Sequence, residues 1–404
     1  MKHFFSKLTY LTFGVFMAGP VFGQSAENTA SESRKLDDLK INQVQVLGTH
    51  NSYAMPVDKS LMAVADPIFD QMMKSYFDKM PAEQLAGFKE FHPNSMKMSE
   101  GLNYNHPPFD VQLDAGIRNL EIDVYYDPTG NRFNDPAGYR MLREKGFSKM
   151  APFSTKDLDK PGLKVLHIAD FDFRTHYTTF RDALAALKEW SDQHPDHFPI
   201  SIQVEAKDSG IPVFSHAAEV LPFDKAAFDE LDSTVLSILG RDKLIVPDDV
   251  RGNFGTLNEA VLANNWPTVK ASRGKFLFLL LPATAGLSEN NVYLEGHSGL
   301  KKRVMFIQSK PGEAHAAFLL MDNALTRKKD IQQLVKQGYM VRTRADIETY
   351  EAKVNDQGRA RAAFESGAQI ISTDFFRPGN GYGTPYFVKL PLPGEANRNP
   401  VNAR

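Results

Sequence analysis

The sequence predicts an α/β fold of the TIM type, a (β/α)8 barrel, distorted by long loop insertions. Three observations predict it. Short β-rich runs recur along most of the chain and are separated by helical or loop-rich stretches. Polar, chemistry-bearing residues stand at the C-terminal ends of several different runs, and in a barrel those ends meet at one mouth. No GxGxxG follows any strand, which removes the usual sign of an open doubly wound sheet.

The runs begin at Val44 (VQVLGTH), Ile117 (IRNLEIDVYY), Lys164 (KVLHI) and Ile200 (ISIQVEAK). Four more begin at Lys275 (KFLFLLL), Arg303 (RVMFIQSK), Met340 (MVRTRAD) and Gln369 (QIISTDFF). Helical patterns lie between them, in YTTFRDALAALKEWSDQ, in FDELDSTVLSILG and from Asp346 to Ser366, where Gly367 supplies a stop. Two connections are too long for simple crossovers. Ala54–Gln112 is rich in Met, Phe and Tyr, and Asp127–Gly162 carries several Pro and Gly residues. Such loops either form lids and binding surfaces or pack outside the barrel.

The chain divides into a signal peptide (1–23), a flexible polar lead-in (24–40), the barrel (41–390) and a C-terminal tail (391–404). MKHFFSK is a short basic start, and LTYLTFGVFMAGPVFG is an apolar run ending in small residues. Export to the periplasm or the extracellular space is therefore expected. With no cysteine, no disulfide supports the fold. A net charge of -2 lacks the basic excess of a nucleic-acid binder. No protein partner is indicated.

The chemistry concentrates at strand ends. LEIDV alternates, so Glu121 and Asp123 share one face, about 7 Å apart along the strand. Two such carboxylates repel unless a cation neutralises them. ISIQVEAK brings Glu205 and Lys207 to a common face at the same rim. Asn51 follows the first strand with an amide oxygen, a normal ligand for Ca²⁺ or Mg²⁺. Asn51, Glu121, Asp123 and Glu205 thus form an all-oxygen cation site, while HExxH and cysteine, the marks of zinc, are missing. His50 and His167 remain for proton or charge chemistry, each at a strand end, with Gly48 allowing the turn before His50. Two imidazoles beside a cation suit phosphoryl transfer. Arg344 and Asp374, ending the seventh and eighth runs, face either a polar substrate or each other. Asp170 and Asp172 read as loop-holding residues, and His106 as supporting or structural.

LGTHNSYA, QLDAGIRNLEIDVYYDP, PGLKVLHIADFDF and VEAKD, in this order, resemble the calcium-dependent phosphoinositide-specific phospholipase C family of bacteria and fungi. The resemblance runs from about Ile41 to Pro378. It implies a TIM-type barrel, catalytic His50 and His167, and a Ca²⁺ site (Mg²⁺ the alternative) on Asn51, Glu121, Asp123 and Glu205. It also implies a lipid substrate met by transient contact with a membrane surface. Lys207, Arg344 and Asp374 are the expected substrate-binding residues. The eukaryotic enzymes carry ring-phosphate lysines on the fifth strand; KFLFLLLP offers none beyond Lys275 at its start, which points to plain phosphatidylinositol or another lipid phosphodiester. The expected reaction is attack of the inositol 2-hydroxyl on phosphorus, giving diacylglycerol and a cyclic inositol phosphate, either released or hydrolysed by the reverse protonation roles. Glu121, Glu205 or His50 takes the proton, and His167 protonates the leaving oxygen; His50 could instead stabilise the phosphorane. The alternatives are a phosphodiesterase of glycerophosphodiesters or sphingolipids on the same site, or a non-catalytic lipid-binding barrel.

Overall fold

The computed structural model describes residues 34–403 except 93, 95–96, 212 and 283–290. The signal peptide and the start of the lead-in lie outside the described residues. From Leu36, which is buried, the lead-in lies against the barrel, and Arg273 holds Asp37 at 2.8 Å.

Eleven strands form one curled sheet. They are β1 (Val44–Thr49), β2 (Asn119–Asp127), β3 (Gly162–Val165), β4 (Ile200–Lys207), β5 (Leu244–Ile245), β6 (Phe276–Pro282), β7 (Phe306–Ile307), β8 (Phe318–Leu320), β9 (Met340–Arg344), β10 (Ile370–Thr373) and β11 (Asn397–Arg398). Eight of them run parallel around a ring: β1, β2, β4, β6, β7, β8, β9 and β10. A single parallel bridge, Gln308 to Phe318, joins β7 to β8 and closes it. β5 pairs with the start of β6 on the edge that β7 occupies further up.

Two element assignments need correction. The run at Lys164 is not a barrel strand, because β3 pairs antiparallel with the far end of β2, from Val124↔Val165 to Asp127↔Gly162. The eighth place in the ring belongs to β8, whose three residues are too few to show a period. The helix expected over Asp346–Ser366 is two helices, Tyr350–Val354 and Gly358–Ser366, broken where Asn355 adopts a positive φ of 55°. Gly367 ends the second with φ 76°.

Alternation sorts each strand. Glu121 on β2 reaches Arg342 on β9, so this face points into the barrel. Leu120, Ile122 and Val124 point outward and are fully buried. Helices Phe180–Gln193 and Lys225–Leu239 bury Leu184, Leu187, Phe228, Leu231 and Val235. Each starts at a side-chain cap, Thr179 on the Asp182 amide and Asp224 on the Ala227 amide, contributing about 1 kcal/mol apiece. Fully burying one leucine contributes roughly 1.5–3 kcal/mol, so packing outweighs capping.

Inside, polarity rises along the barrel axis. Val44 and Val46 lie at the floor, with Gly48 and then His50 following on the same face of β1. Gly48 is not the turn residue. It lies in β1 opposite Asn119, and a Cβ there would sit 2.5 Å from the Asn119 amide oxygen. Glycine is required for that close approach, while the turn comes at Asn51, with φ 46°.

The 54–112 connection leaves the C-terminal end of β1 and contains helices Lys59–Phe77 and Ala82–Phe91. It returns to the mouth, where Tyr104 packs on His50 with ring centroids 5.6 Å apart. Residues after 390 fold back, and β11 pairs antiparallel with Val44 and Gln45.

Candidate active site at the barrel mouth

β1 delivers His50 inward, and two neighbouring strands hold it. Its Nδ1 lies 2.9 Å from Asp374, just beyond β10, and 3.3 Å from the Arg344 guanidinium at the end of β9. Arg344 also donates to Asp374 at 3.1 Å. The carboxylate is the closer partner and a guanidinium cannot accept, so Nδ1–H donates to Asp374 and Nε2 carries the lone pair. Burial first, then Arg344, hold the His50 pKa well below its ordinary value, so the ring is neutral near pH 7. Burial pushes the Asp374 carboxyl up, against the pull of Arg344. Asp346 supports Asp374 by accepting its backbone N–H at 2.8 Å.

His167 arrives by a different route. β3 folds back over β2, and Tyr125 donates to the His167 carbonyl at 2.9 Å. Ile168 and Asp172 then exchange backbone hydrogen bonds around a tight turn in which Asp170 has φ 75°. The turn sets Asp172 beside His167, 2.7 Å from its Nδ1. Asp170 accepts from the amides of Ala137 and Ala218, holding the loop as expected. The two imidazoles meet edge to face, with centroids 6.4 Å apart and planes at 79°.

Beneath them lies an acidic cluster. Glu121, Asp123 and Glu205 offer oxygens all within 4.8 Å of one another. β2 and β4 make this unavoidable, since Asp123 pairs in register with Glu205. Glu121 is held by Arg342 at 3.0 Å, and Arg342 also bonds Asp322. Lys207 lies 3.0 Å from Asp123 and 2.9 Å from Glu205. Both contacts are ion pairs, and both Asp123 oxygens are buried without a hydrogen bond. Burial pushes Glu121 up to about 7, against Arg342, and Asp123 up to about 6, against Lys207. Burial would raise Glu205 too, but Lys207 outweighs it and the carboxyl falls below its ordinary value. Closely set carboxylates with unsatisfied buried oxygens fit a hard divalent cation.

Asn51 is buried, and the next residue, Ser52, bonds the Glu121 backbone. The Asn51 Nδ2 donates to Tyr104 at 2.6 Å, which leaves Oδ1 with a single long contact, 3.5 Å from the Tyr53 hydroxyl. Burial keeps both phenols protonated. His106 donates from Nε2 to the His50 carbonyl at 2.8 Å, fixing the turn that carries His50.

The mouth thus collects all nine residues singled out from the sequence. Arg344 and Asp374 bridge each other and His50, and Lys207 bridges two carboxylates. Sequence reasoning missed Asp172 and Asp374 as imidazole partners, and missed Arg342, Asp322 and Tyr104. Arg342 was findable, because MVRTR places it on the face of Arg344. Tyr104 and Asp322 carried no local signal.

A parallel ring with this constellation at its C-terminal mouth belongs to an enzyme, a phosphoric diester hydrolase of the barrel type. Residues 39–400 match the family model described as phosphoinositide phospholipase C, Ca2+-dependent, and the chain belongs to that family. Among solved structures, a calcium-dependent phosphoinositol-specific phospholipase C from Pseudomonas sp shares the fold at 17% identity and a TM-score of 0.50, over 87% of this chain and 95% of that one. A Ca2+-dependent phosphatidylinositol-specific phospholipase C from Streptomyces antibioticus gives 17% identity and a TM-score of 0.48, over 83% and 94%. No curated protein matches the chain.

Proposed function

We propose that this protein is an exported phospholipase C that cleaves phosphatidylinositol to diacylglycerol and a cyclic inositol phosphate. The observation that carries this reading is the pair of opposed imidazoles, each fixed through Nδ1 by a carboxylate, above an acidic cluster. Asn51, Glu121, Asp123 and Glu205 would hold the cation. Bound calcium supplies Lewis-acid stabilisation of charge on the phosphate and lowers the pKa of the attacking hydroxyl.

The chain's own groups divide the proton work. His50, neutral and with Nε2 free, takes the proton of the inositol 2-hydroxyl. The oxygen forms a bond to phosphorus as the bond to the diacylglycerol oxygen breaks. His167, oriented by Asp172 at its Nδ1, gives a proton to that leaving oxygen through Nε2. Tyr125 and the turn at Asp170 keep His167 in position.

The 54–112 insertion supports a lipid substrate. Phe69, Met72, Phe77 and Phe88 line one part of a groove of about 1230 Å³ that charged residues such as Asp70, Lys74 and Glu100 also line; Tyr76 is exposed in it and Ile68 is exposed on the same helix. The apolar part of that lining, with Ile68 and Tyr76 exposed, suits acyl chains and an interface. Export rests on residues 1–23, and N-terminal sequencing of protein from the periplasm or medium tests it.

The deciding experiment is hydrolysis of phosphatidylinositol vesicles with calcium and with chelator, beside His167→Ala. Calcium-dependent diacylglycerol release that the variant lacks is expected. Release from glycerophosphodiesters or sphingomyelin alone would replace the substrate assignment.

A further inference from the structure

We infer that Lys207 is a tethered cation that occupies the acidic cluster in the metal-free enzyme and is displaced when calcium enters, freeing its ammonium for the substrate phosphate. The inference rests on the calcium site proposed above and goes beyond it, since it assigns Lys207 two alternating partners.

The geometry excludes joint occupancy. Lys207 Nζ is 3.0 Å from Asp123 Oδ2 and 2.9 Å from Glu205 Oε1. Calcium takes carboxylate oxygens at 2.3–2.6 Å, so an ion bridging the same two groups would lie within about 4 Å of the ammonium. A double and a single positive charge at that separation repel strongly in a partly buried site. Glu121 offers no second home, because Arg342 already holds it at 3.0 Å.

The chain also provides a way out. Lys207 is the last residue of β4, its side chain is 16% exposed, and Glu205 beside it is 27% exposed. Asp123 below is completely buried. A lysine stem has four rotatable carbons, so the ammonium can leave the cluster without moving the strand. The space it enters is the mouth between His50 and His167, 18% and 17% exposed, where the phosphodiester must lie. A compact point charge there suits a non-bridging phosphate oxygen. The metal-free barrel meanwhile keeps its acidic cluster neutralised and its fold intact.

Two measurements test this on the mature protein. The first is calorimetric titration of calcium chloride into wild type, Lys207→Met and Lys207→Arg, with circular dichroism confirming that each is folded. Lys207→Met should bind calcium at least about tenfold more tightly, and Lys207→Arg should not. The second is amine labelling of wild type read by mass spectrometry, with and without calcium. Labelling of Lys207 should rise several-fold with calcium, while that of buried Lys164 stays constant. Equal or weaker binding by a folded Lys207→Met, or unchanged labelling of Lys207, overturns the displacement while leaving the calcium site standing. Absence of calcium binding by wild type and variants alike removes the site itself, and this inference with it.

Discussion

His50 and His167 face each other across the barrel mouth with ring centroids 6.4 Å apart, and each ring turns its Nδ1 to a carboxylate. Each ring is therefore oriented through Nδ1, which leaves Nε2 for the substrate. Neither partner lies next to its histidine in the chain, since Asp374 is on the far side of the sequence from His50 and Asp172 is across a turn from His167.

Removing the acid should be the most costly change. His167→Ala is expected to lower kcat on phosphatidylinositol vesicles by about 10²–10⁴-fold, with folding unchanged by circular dichroism. Asp172→Asn should give a smaller loss of kcat, about 10–100-fold, because the ring remains but loses the carboxylate that orients it. An Asp172→Asn enzyme as active as wild type would remove the proton-donor role.

The pH profile tests His50. A base must be deprotonated, and burial with Arg344 holds this imidazole well below its ordinary value. Activity should therefore be lost only as pH falls below about 6.5, the unperturbed imidazole value. An acid limb centred above pH 7 in kcat/KM would point away from His50 and toward Glu121, which stands at about 7.

Calcium affinity should rise with pH. Protons on Glu121 (about 7) and Asp123 (about 6) must leave before these groups bind a cation, so binding releases protons below pH 7 and levels off above it. Calorimetry in two buffers of different ionisation enthalpy measures the release. Asp123→Asn should weaken calcium binding strongly, and identical affinities at pH 5.5 and 7.5 would refute the assignment.

His106 should couple stability to pH. Burial lowers its pKa to about 4, so between pH 6.5 and 4 the unfolded chain binds a proton that the folded chain does not. Stability then falls as pH drops through that window, by about 3 kcal/mol at most from this group. Glu121 and Asp123, with raised values, act in the opposite sense, so the test is a difference. Urea unfolding of His106→Gln, which keeps a donor for the His50 carbonyl, should show a shallower acid loss than wild type.

The insertion should matter for vesicles alone. Ile68→Ser with Tyr76→Ser, both exposed on helix Lys59–Phe77, should weaken vesicle binding in a flotation assay. Cleavage of a soluble short-chain substrate should be unchanged. Equal loss on both substrates would make the effect structural.

Much of the site was legible in the chain. The alternation in LEIDV put Glu121 and Asp123 on one face, and ISIQVEAK did the same for Glu205 and Lys207, because a strand has a fixed period of two. The HN pair after β1 was legible too, since strand ends open at one mouth. Only the tertiary structure decided how the strands close. β3 leaves the ring, β8 enters it with three residues, and a Cβ at Gly48 would meet Asn119 on the neighbouring strand rather than obstruct a turn. It also decided which charge meets which. Asp374 and Arg344 bind His50 from strands nearly three hundred residues away in sequence or more, and Lys207 turns back onto Asp123 and Glu205. A strand's period acts between neighbours along the backbone and is written locally. The pairing of buried charges is set by distances across a closed ring, which exist only once the ring has formed.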